Sequence, residues 1–459
     1  MRRCLTAILC ASLMLIGAVA TPGCGDSSSS GGSLTYRTTT WYHYRTAAAV
    51  DVFSQLFILM STDDVANFGI QCGQNQAPGA GLIFGSVRDL AGATSISGAT
   101  VTAVNDAGLS AGTVFYRNAS GAFSPALTST STFSDFIIFN VAAGRINLRA
   151  GGTASGNIYV NSVADETTLV TMRCASAAAA TTWSGVTRRH ENVPGLAEVS
   201  VLLTGHATGA PFPITSDGTT GAFTAGSVPG LQTYLVRATK AGFHDTYNEY
   251  VLASGTVTTP LGDLFIVDSA SDSDTDFVPT ELMPLTLGAS VVRGVVAPVG
   301  TSTAGFSIAC TDLTGAAVGD IRYGDASAIP QPIASQTSTS SSGTFYIYNL
   351  PAGGTFLIRA TQTGGTSFAG SACTDTYAPI GPATRSVTFM APIAAVTNGS
   401  SATTHNVSGS LVTFAGSFGV GNATINRLGS GSVSTDQLGG FSMSGVPSNH
   451  FFRVKTSKP

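Results

Sequence analysis

A run of aspartates is the clearest group of side chains in this sequence that could bind a metal ion. Residues 268–277 read DSASDSDTDF, and Asp272, Asp274 and Asp276 alternate with small residues. Carboxylates at that spacing can chelate Ca²⁺. However, Phe277 stands where an EF-hand loop has glycine, and the twelfth position is not glutamate. Two interpretations remain open: a calcium ion that stiffens this stretch, and an acidic linker exposed to water.

Other reactive residue types occur in arrangements that do not predict catalysis. GLSAG at 108–112 matches G-x-S-x-G, but Ser110 lies between strand-like stretches, without the helix that must follow a nucleophile elbow. The six histidines form neither His-x-x-Glu nor His-x-x-x-His, so the sequence lacks the paired ligands of a zinc peptidase. We therefore expect a protein that is not an enzyme.

The composition favours β-sheet domains and disfavours a nucleic-acid partner. Charged residues make up 10% of the 459 residues, hydrophobic residues make up 43%, and there are 54 glycines. Abundant glycine and few charges suit sheets joined by many turns. The net charge of −4 provides no basic surface of the kind that nucleic acid requires.

The N-terminus predicts export from the cytoplasm. Residues 1–3 (MRR) precede the apolar stretch LTAILCASLMLIGAVA, which is short for a membrane-spanning helix. Two cleavage sites compete: AVA at 18–20 fits signal peptidase I, and TPGC at 21–24 resembles a bacterial lipobox. The polar tether GDSSSSGG after Cys24 favours the lipobox. We expect lipidation of Cys24, membrane attachment through that lipid, and an outer-membrane or cell-surface location, with secretion as the alternative.

The most informative pattern is an internal repeat. Phe345, Leu350 and Arg359 have counterparts in three other places: Phe223, Val228 and Arg237; Phe441, Val446 and Lys455; and, one residue shorter, Phe136, Val141 and Arg149. Upstream of each copy a strand-like stretch passes through a glycine, at Gly85, Gly185, Gly294 or Gly409. A second stretch with alternating apolar residues follows. Alternation at period two buries one face of a strand, so we predict tandem antiparallel β-sandwiches.

The repeats divide the chain into segments. We predict a lipoprotein signal peptide at 1–23, a Ser/Gly tether at 24–33, an N-terminal partial β segment at 34–76, sandwich repeats at 77–176, 181–268, 286–396 and 402–459, and an acidic linker at 269–285. The segment at 34–76 reads like the tail strands of a repeat with no repeat before it. The last repeat stops where the others continue, so we expect a fragment whose final sandwich lacks a strand and has an open edge.

Each repeat resembles the carboxypeptidase regulatory-like domain. The matching features are the first-strand glycine, G-x-F, an L/V-P turn and a strand of the L-x-R-A type. The resemblance covers most of residues 80–459 and departs in the first repeat, which has a long insert and no proline. It implies a transthyretin-like, carbohydrate-binding-like sandwich without catalytic residues. Such domains occur in tandem on secreted and outer-membrane proteins.

Four cysteines follow Cys24, and an even number in an exported chain indicates disulfides. Four cysteines allow three pairings. Cys72 and Cys174 bracket the first repeat, while Cys310 and Cys373 both lie in the third. We therefore predict the bonds Cys72–Cys174 and Cys310–Cys373, one in each of these repeats.

Together these inferences predict a non-catalytic, surface-exposed lipoprotein whose tandem domains act as a stalk or as an adhesion and binding module. A glycan or a surface protein is the expected partner. Two alternatives remain: a carbohydrate-binding protein stiffened by calcium, and the accessory region of a larger secreted enzyme. The stretch at 343–360 is then a folding device, in which either Phe345 and Ile347 or Tyr346 and Tyr348 enter the core.

Overall fold

The computed structural model describes most of the chain between residues 35 and 458. The described residues are 35–44, 52–90, 92–105, 109–176, 180–189, 195–204, 212–229, 232–252, 263–267, 289–296, 303–312, 315–327, 330–351, 354–362, 371–377, 386–390, 393, 404–414, 418–427, 431–447 and 451–458. Within these residues the chain forms 30 strands and one helix, which confirms the predicted all-β fold class.

Residues 35–61, called here the N-terminal segment, precede the first repeat and contain two strands. These are β1 (Thr39–Tyr44) and β2 (Val52–Leu59), and helix α1 (Thr62–Cys72) follows them. The helix begins at a capping box, in which the Ser61 hydroxyl accepts from the Asp64 N–H at 3.1 Å and the Asp64 carboxylate accepts from the Ser61 N–H at 2.9 Å. It ends at Gly73, whose φ of +64° suits glycine. The sequence prediction of β structure over 34–76 missed this helix.

Four repeats follow, called here units one to four (residues 77–176, 180–268, 286–396 and 402–459), so unit two begins one residue before the predicted boundary at 181. Unit one contains β3 (Gly81–Asp89), β4 (Ala99–Asn105), β5 (Thr113–Arg117), β6 (Phe123–Ser124), β7 (Asp135–Val141), β8 (Gly144–Gly152), β9 (Ala154–Ser162) and β10 (Thr167–Ser176). Unit two contains β11 (Ala180–Arg189), β12 (Ser200–Thr204), β13 (Phe212–Thr215), β14 (Ala222–Pro229), β15 (Gln232–Thr239), β16 (Asp245–Leu252) and β17 (Asp263–Ile266).

Units three and four lie downstream of these two. Unit three contains β18 (Ser290–Val295), β19 (Phe306–Thr311), β20 (Asp320–Gly324), β21 (Pro332–Ile333), β22 (Thr344–Leu350), β23 (Thr355–Gln362), β24 (Ser371–Tyr377) and β25 (Ser386–Phe389). Unit four contains β26 (Thr404–Thr413), β27 (Thr424–Arg427), β28 (Gly431–Ser434), β29 (Gly440–Pro447) and β30 (Phe451–Ser457).

Every unit is a sandwich of the same two sheets. In one sheet the first strand lies between the Gly-x-Phe strand and a parallel last strand, in the orders β7-β3-β10, β14-β11-β17, β22-β18-β25 and β29-β26-β2. In the other sheet the strand with the repeated basic residue is central, in the orders β4-β8-β9, β12-β15-β16, β19-β23-β24 and β27-β30-β1. The repeat found in the sequence is therefore a repeat of topology.

The repeated glycine and phenylalanine are cross-strand partners in all four units. The pairs are Gly85 with Phe136, Gly185 with Phe223, Gly294 with Phe345, and Gly409 with Phe441. A Cβ on Gly294 would lie 2.2 Å from Cζ of Phe345, and one on Gly85 would lie 2.3 Å from Cζ of Phe136. The phenylalanine ring thus occupies the space that a side chain would need, which explains the glycine at Gly85 and Gly294.

A buried hydroxyl anchors the loop after the first strand in each unit. It accepts a hydrogen bond from the backbone N–H at or just before the second strand, in the pairs Thr130–Ala99 (2.9 Å), Ser216–Val199 (2.9 Å), Thr339–Phe306 (3.0 Å) and Thr435–Ala423 (2.9 Å). Each hydroxyl also donates to a carbonyl of that loop, for example Thr130 to Ile96 at 2.8 Å. These hydroxyls satisfy backbone groups that burial would otherwise leave unpaired.

Unit four takes its last two strands from the N-terminal segment. Strand β1 pairs antiparallel with β30, placing Trp41 opposite Val454, and β2 pairs parallel with β26, placing Phe57 opposite Leu411. Units one to three fill the same two positions with strands directly downstream in the chain. The prediction of an open edge on the last sandwich is therefore wrong, because β1 and β2 of the N-terminal segment pair with that sandwich.

The sheets continue from one unit into the next at two equivalent junctions. Strand β16 of unit two pairs parallel with β25 of unit three, and β1 pairs in the same way with β10 of unit one. At the first junction Tyr346 and Tyr348 are buried with Phe389, while Phe345 and Ile347 enter the core of unit three. Both faces of β22 are therefore covered, one by its own sandwich and the other by the junction.

Candidate functional site

Two of the predicted sites lie outside the described residues. They are the lipidation site Cys24 and the calcium ligands Asp272, Asp274 and Asp276, and both remain predictions. In the part of the chain that the structure describes, no three His, Cys, Asp or Glu side chains are grouped as metal ligands. The same part contains no helix with the length and hydropathy of a membrane span.

The serine of the G-x-S-x-G match lies in a loop of unit one. Ser110 is exposed, its backbone bridges to Val104 on β4, and its hydroxyl donates to the Gly112 carbonyl at 3.4 Å. Strand β5 follows it where a nucleophile elbow would begin a helix. The backbone therefore places Ser110 in a connection between strands.

The predicted disulfide Cys72–Cys174 is wrong, because the two thiols lie on opposite faces of one sheet. Cys72, at the end of α1, packs in the same cluster as Phe84, while Cys174 is in the core of unit one with Ile83. Ile83 and Phe84 are neighbours on β3, so their side chains point to opposite faces. Both cysteines are buried free thiols.

The predicted disulfide Cys310–Cys373 is also wrong, because strand β23 separates the two residues. Cys310 pairs with Ile358 on one side of β23, and Cys373 pairs with Arg359 on the other. Two inter-strand spacings amount to about 9.5 Å, which exceeds the limit of about 7 Å between the Cα atoms of a disulfide. Cys310 is a buried free thiol, and burial raises its pKa to about 12. A thiol with so high a pKa is a poor nucleophile.

The junction between unit four and unit one joins elements that are distant in sequence. On its apolar side Ile58 of β2 lies in one buried cluster with Phe68 of α1 and Phe84 of β3. Phe414, just after β26, packs edge-on against Phe68 of α1 (5.0 Å) and Phe84 of β3 (5.3 Å). Apolar side chains from the N-terminal segment, α1, unit one and unit four therefore belong to one contact region.

Polar contacts at the same junction converge on Glu166, in the turn before β10. Its carboxylate is 2.6 Å from the Lys455 ammonium of unit four, and its carbonyl accepts from the Arg37 guanidinium at 3.2 Å. Lys458 also lies over the ring of Tyr36, 5.5 Å from the centroid. Because Lys455 is about one-third exposed, the ion pair is worth about 0.5 kcal/mol, and the apolar contacts dominate the junction.

The repeated basic residue has a different environment in each unit. Arg237 pairs with Asp245 on the neighbouring strand at 2.5 Å, and Lys455 pairs with Glu166. Arg149 of unit one is 1% exposed, yet none of its three guanidinium nitrogens has a hydrogen-bond partner. Desolvation lowers the pKa of Arg149 to about 10, opposed by the phenols of Tyr159 and Tyr234.

Of the ion pairs at the basic position, Arg237–Asp245 lies within unit two and Lys455–Glu166 joins unit four to unit one. Sequence reasoning identified the basic position and the phenylalanine as parts of a folding device, and the structure places both on the predicted strands. The sequence did not predict that β1 and β2 of the N-terminal segment pair with strands of unit four. A signal for this pairing was present in the sequence: residues 39–59 resemble the tail strands of a repeat, and the last repeat lacks its own tail strands.

Comparisons with known proteins find similarity only to solved structures. No family model and no curated protein matches the chain. The Bacillus anthracis TIE protein is 9% identical over 69% of this chain and 51% of its own, with a TM-score of 0.18. A streptococcal ancillary pilin is 10% identical over 43% of this chain and 65% of its own (TM-score 0.20). BcpA*(D312A), the major pilin subunit of Bacillus cereus, is 10% identical over 68% of this chain and 99% of its own (TM-score 0.14).

The chain thus spans about half of the first of these proteins and just under two thirds of the second. Identities and TM-scores this low carry no information about function.

Proposed function

We propose that this chain is a non-catalytic structural array displayed outside the cytoplasm, where it acts as a stalk or an adhesion module. The observation that supports this most directly is the continuity of the β-sheets across unit boundaries, at β16–β25 and β1–β10. Rotation of one unit against the next would break main-chain hydrogen bonds and expose a buried apolar junction. Units held in a fixed relation suit a protein that spaces or presents a surface.

The N-terminal sequence supports a location for this array. A lipid on Cys24 followed by the tether at 24–33 would hold it at the outer-membrane surface. Cleavage after Ala20 would instead release it, so secretion is the alternative. We also propose, as an alternative, that the array is the accessory region of a larger secreted enzyme whose catalytic domain lies elsewhere in a longer protein.

A second candidate function is binding of a glycan or a surface protein through unit four. Phe418 is 74% exposed and Leu438 is 83% exposed, and both lie at one end of that sandwich. The two positions are close, since a Cβ built on Gly419 would touch the Leu438 carbonyl at 1.7 Å. Exposed aromatic rings can stack on the apolar face of a sugar. A glycan array probed with the wild-type chain and with Phe418→Ala tests this candidate. The wild-type chain should bind at least one glycan, and Phe418→Ala should not bind it.

Surface display is tested in the cells that produce the protein. Protease added to intact cells should degrade the wild-type chain, and palmitate labelling should require Cys24. The variant Cys24→Ala should appear in the medium or accumulate as precursor. Protection of the wild-type chain until the cells are lysed would contradict the proposal. For the calcium alternative, millimolar Ca²⁺ should protect the 269–285 linker from proteolysis, and triple substitution of Asp272, Asp274 and Asp276 by Asn should abolish that protection.

A further inference from the structure

The basic position of the repeat lacks a carboxylate partner in unit one. Arg149 lies on β8, between Thr102 of β4 and Asn157 of β9. Its neighbours along the strand, Leu148 and Ala150, belong to the core of unit one. Alternation then directs Arg149 to the opposite face. On that face the phenols of Tyr159 and of Tyr234, in unit two, are the titratable groups that influence it among the residues described.

Buried donors accumulate here without matching acceptors. All three guanidinium nitrogens of Arg149 are unpaired and inaccessible to water from outside. Asn147, two residues earlier on the same strand and face, is 3% exposed. Its oxygen accepts from the Asn157 amide at 3.1 Å, while its own amide nitrogen has no partner. The face between units one and two therefore presents several N–H groups and a positive charge.

The charge persists at neutral pH and requires compensation. A guanidinium with a pKa near 10 stays protonated at pH 7. Removing an unpaired charge from water is strongly unfavourable, and buried charges in proteins are normally paired. An acceptor that carries negative charge and several lone pairs matches this donor set, and guanidinium binds such oxyanions in a bidentate way.

The enclosure limits the size of that acceptor. Tyr234 is fully buried and Arg149 nearly so, which leaves no route for an oligosaccharide or peptide to reach the guanidinium. We propose that Arg149 and Asn147, at the contact between units one and two, bind a small oxyanion of the size of sulfate, phosphate or acetate. The anion neutralises Arg149, as Asp245 and Glu166 neutralise Arg237 and Lys455, and it joins units one and two.

The test uses the full chain and simple salts. Thermal unfolding is measured at constant ionic strength while chloride is replaced by sulfate, phosphate or acetate. A ligand that binds only the folded state stabilises it by an amount that grows with ligand concentration. At a hundredfold excess over Kd, the Tm of units one and two should rise by about 5–10 °C. The ion that gives the largest increase identifies the preferred oxyanion. Equilibrium dialysis with labelled sulfate or phosphate should give about one site per chain.

Matched variants separate the site from a general salt effect. Arg149→Met should abolish the anion dependence, whereas Arg173→Met, at an exposed arginine of the same unit, should retain it. Asn147→Asp places a carboxylate beside Arg149 without changing the side-chain shape. It should raise the Tm in chloride and remove the response to sulfate, and it remains informative if Arg149→Met does not fold.

Two results would overturn the proposal. One is a wild-type Tm that is the same in chloride and in all three oxyanions. The other is an unchanged response to the preferred oxyanion in a folded Asn147→Asp variant.

Discussion

Ser134 occupies a backbone position that the other three units give to glycine. The glycines Gly221, Gly343 and Gly439 have φ of +74°, +68° and +83°, and Ser134 has φ of +58°. In each unit the carbonyl of this residue accepts from the first strand, as Ser134 does from Val87 at 3.0 Å. Ser134 is fully buried, and its hydroxyl has no partner. Ser134→Gly should therefore stabilise unit one.

The expected gain follows from three contributions. Relief of the left-handed conformation contributes about 1 kcal/mol, and removal of an unpaired buried hydroxyl contributes about 1 kcal/mol. The greater freedom of glycine in the unfolded chain opposes them by about 1 kcal/mol. The net increase in the free energy of unfolding is about 1 kcal/mol, measured by urea denaturation at unchanged m-value.

The reverse change in unit three is the matched control. A Cβ on Gly343 would lie 2.5 Å from the Val296 carbonyl oxygen, so Gly343→Ser should lower stability by about 2 kcal/mol or more. A loss of stability in Ser134→Gly, or no loss in Gly343→Ser, would refute this account of the turn.

Three further predictions follow from buried and charged groups. Phe345→Ala should lower the stability of unit three by about 3–5 kcal/mol, because a fully buried ring leaves a cavity over Gly294; a loss below 1 kcal/mol in denaturation would show that the ring is not in the core. Arg117→Met should cost about 3 kcal/mol, because it strands the Asp135 carboxylate, now 3.0 Å from Arg117. Burial already raises the pKa of Asp135, so this loss should shrink as the pH falls and the carboxyl protonates; a loss independent of pH would contradict the pairing. Hydrogen bonds from the hydroxyl and N–H of Thr220 and the N–H of Thr219 lower the pKa of Asp217 below its ordinary value of 3.8. The contribution of Asp217 to the free energy of unfolding should be complete above about pH 5 and should disappear as the pH falls through the lowered pKa. Asp217→Asn should remove that part of the acid dependence in a pH series of Tm values.

Much of each unit could be predicted from local pattern. Period-two alternation identified the strands, and the spacing of Phe345, Leu350 and Arg359 identified the repeat because each residue performs the same packing task in every copy. The repeated glycine of the first strand and the repeated phenylalanine were both visible in the sequence. The sequence pattern does not show that they are cross-strand partners, because register depends on both strands at once.

Contacts between distant segments could not be read in this way. The pairing of β1 and β2 with unit four joins opposite ends of the described chain, and no local signal specifies it. The burial of Tyr346 and Tyr348 could not be predicted for a related reason. Alternation shows that they lie on the face of β22 opposite Phe345, but it does not show that unit two covers that face. The cysteine pairings failed because proximity in sequence and an even count were used in place of strand order.

The central claim is that the N-terminal segment completes unit four of the same chain. Thr39 is opposite Thr456 in the β1–β30 pair, and the Thr456 hydroxyl donates to the Thr39 carbonyl at 3.2 Å. The double variant Thr39→Cys/Thr456→Cys, with a protease site inserted in the 269–285 linker, tests it after oxidation and cleavage.

The two halves are expected to migrate as one band on non-reducing SDS gels and to separate on reduction, while a variant that carries only one of the two substitutions separates without reduction. Halves that separate in the non-reduced double variant, or crosslinks that appear only between chains, would contradict it.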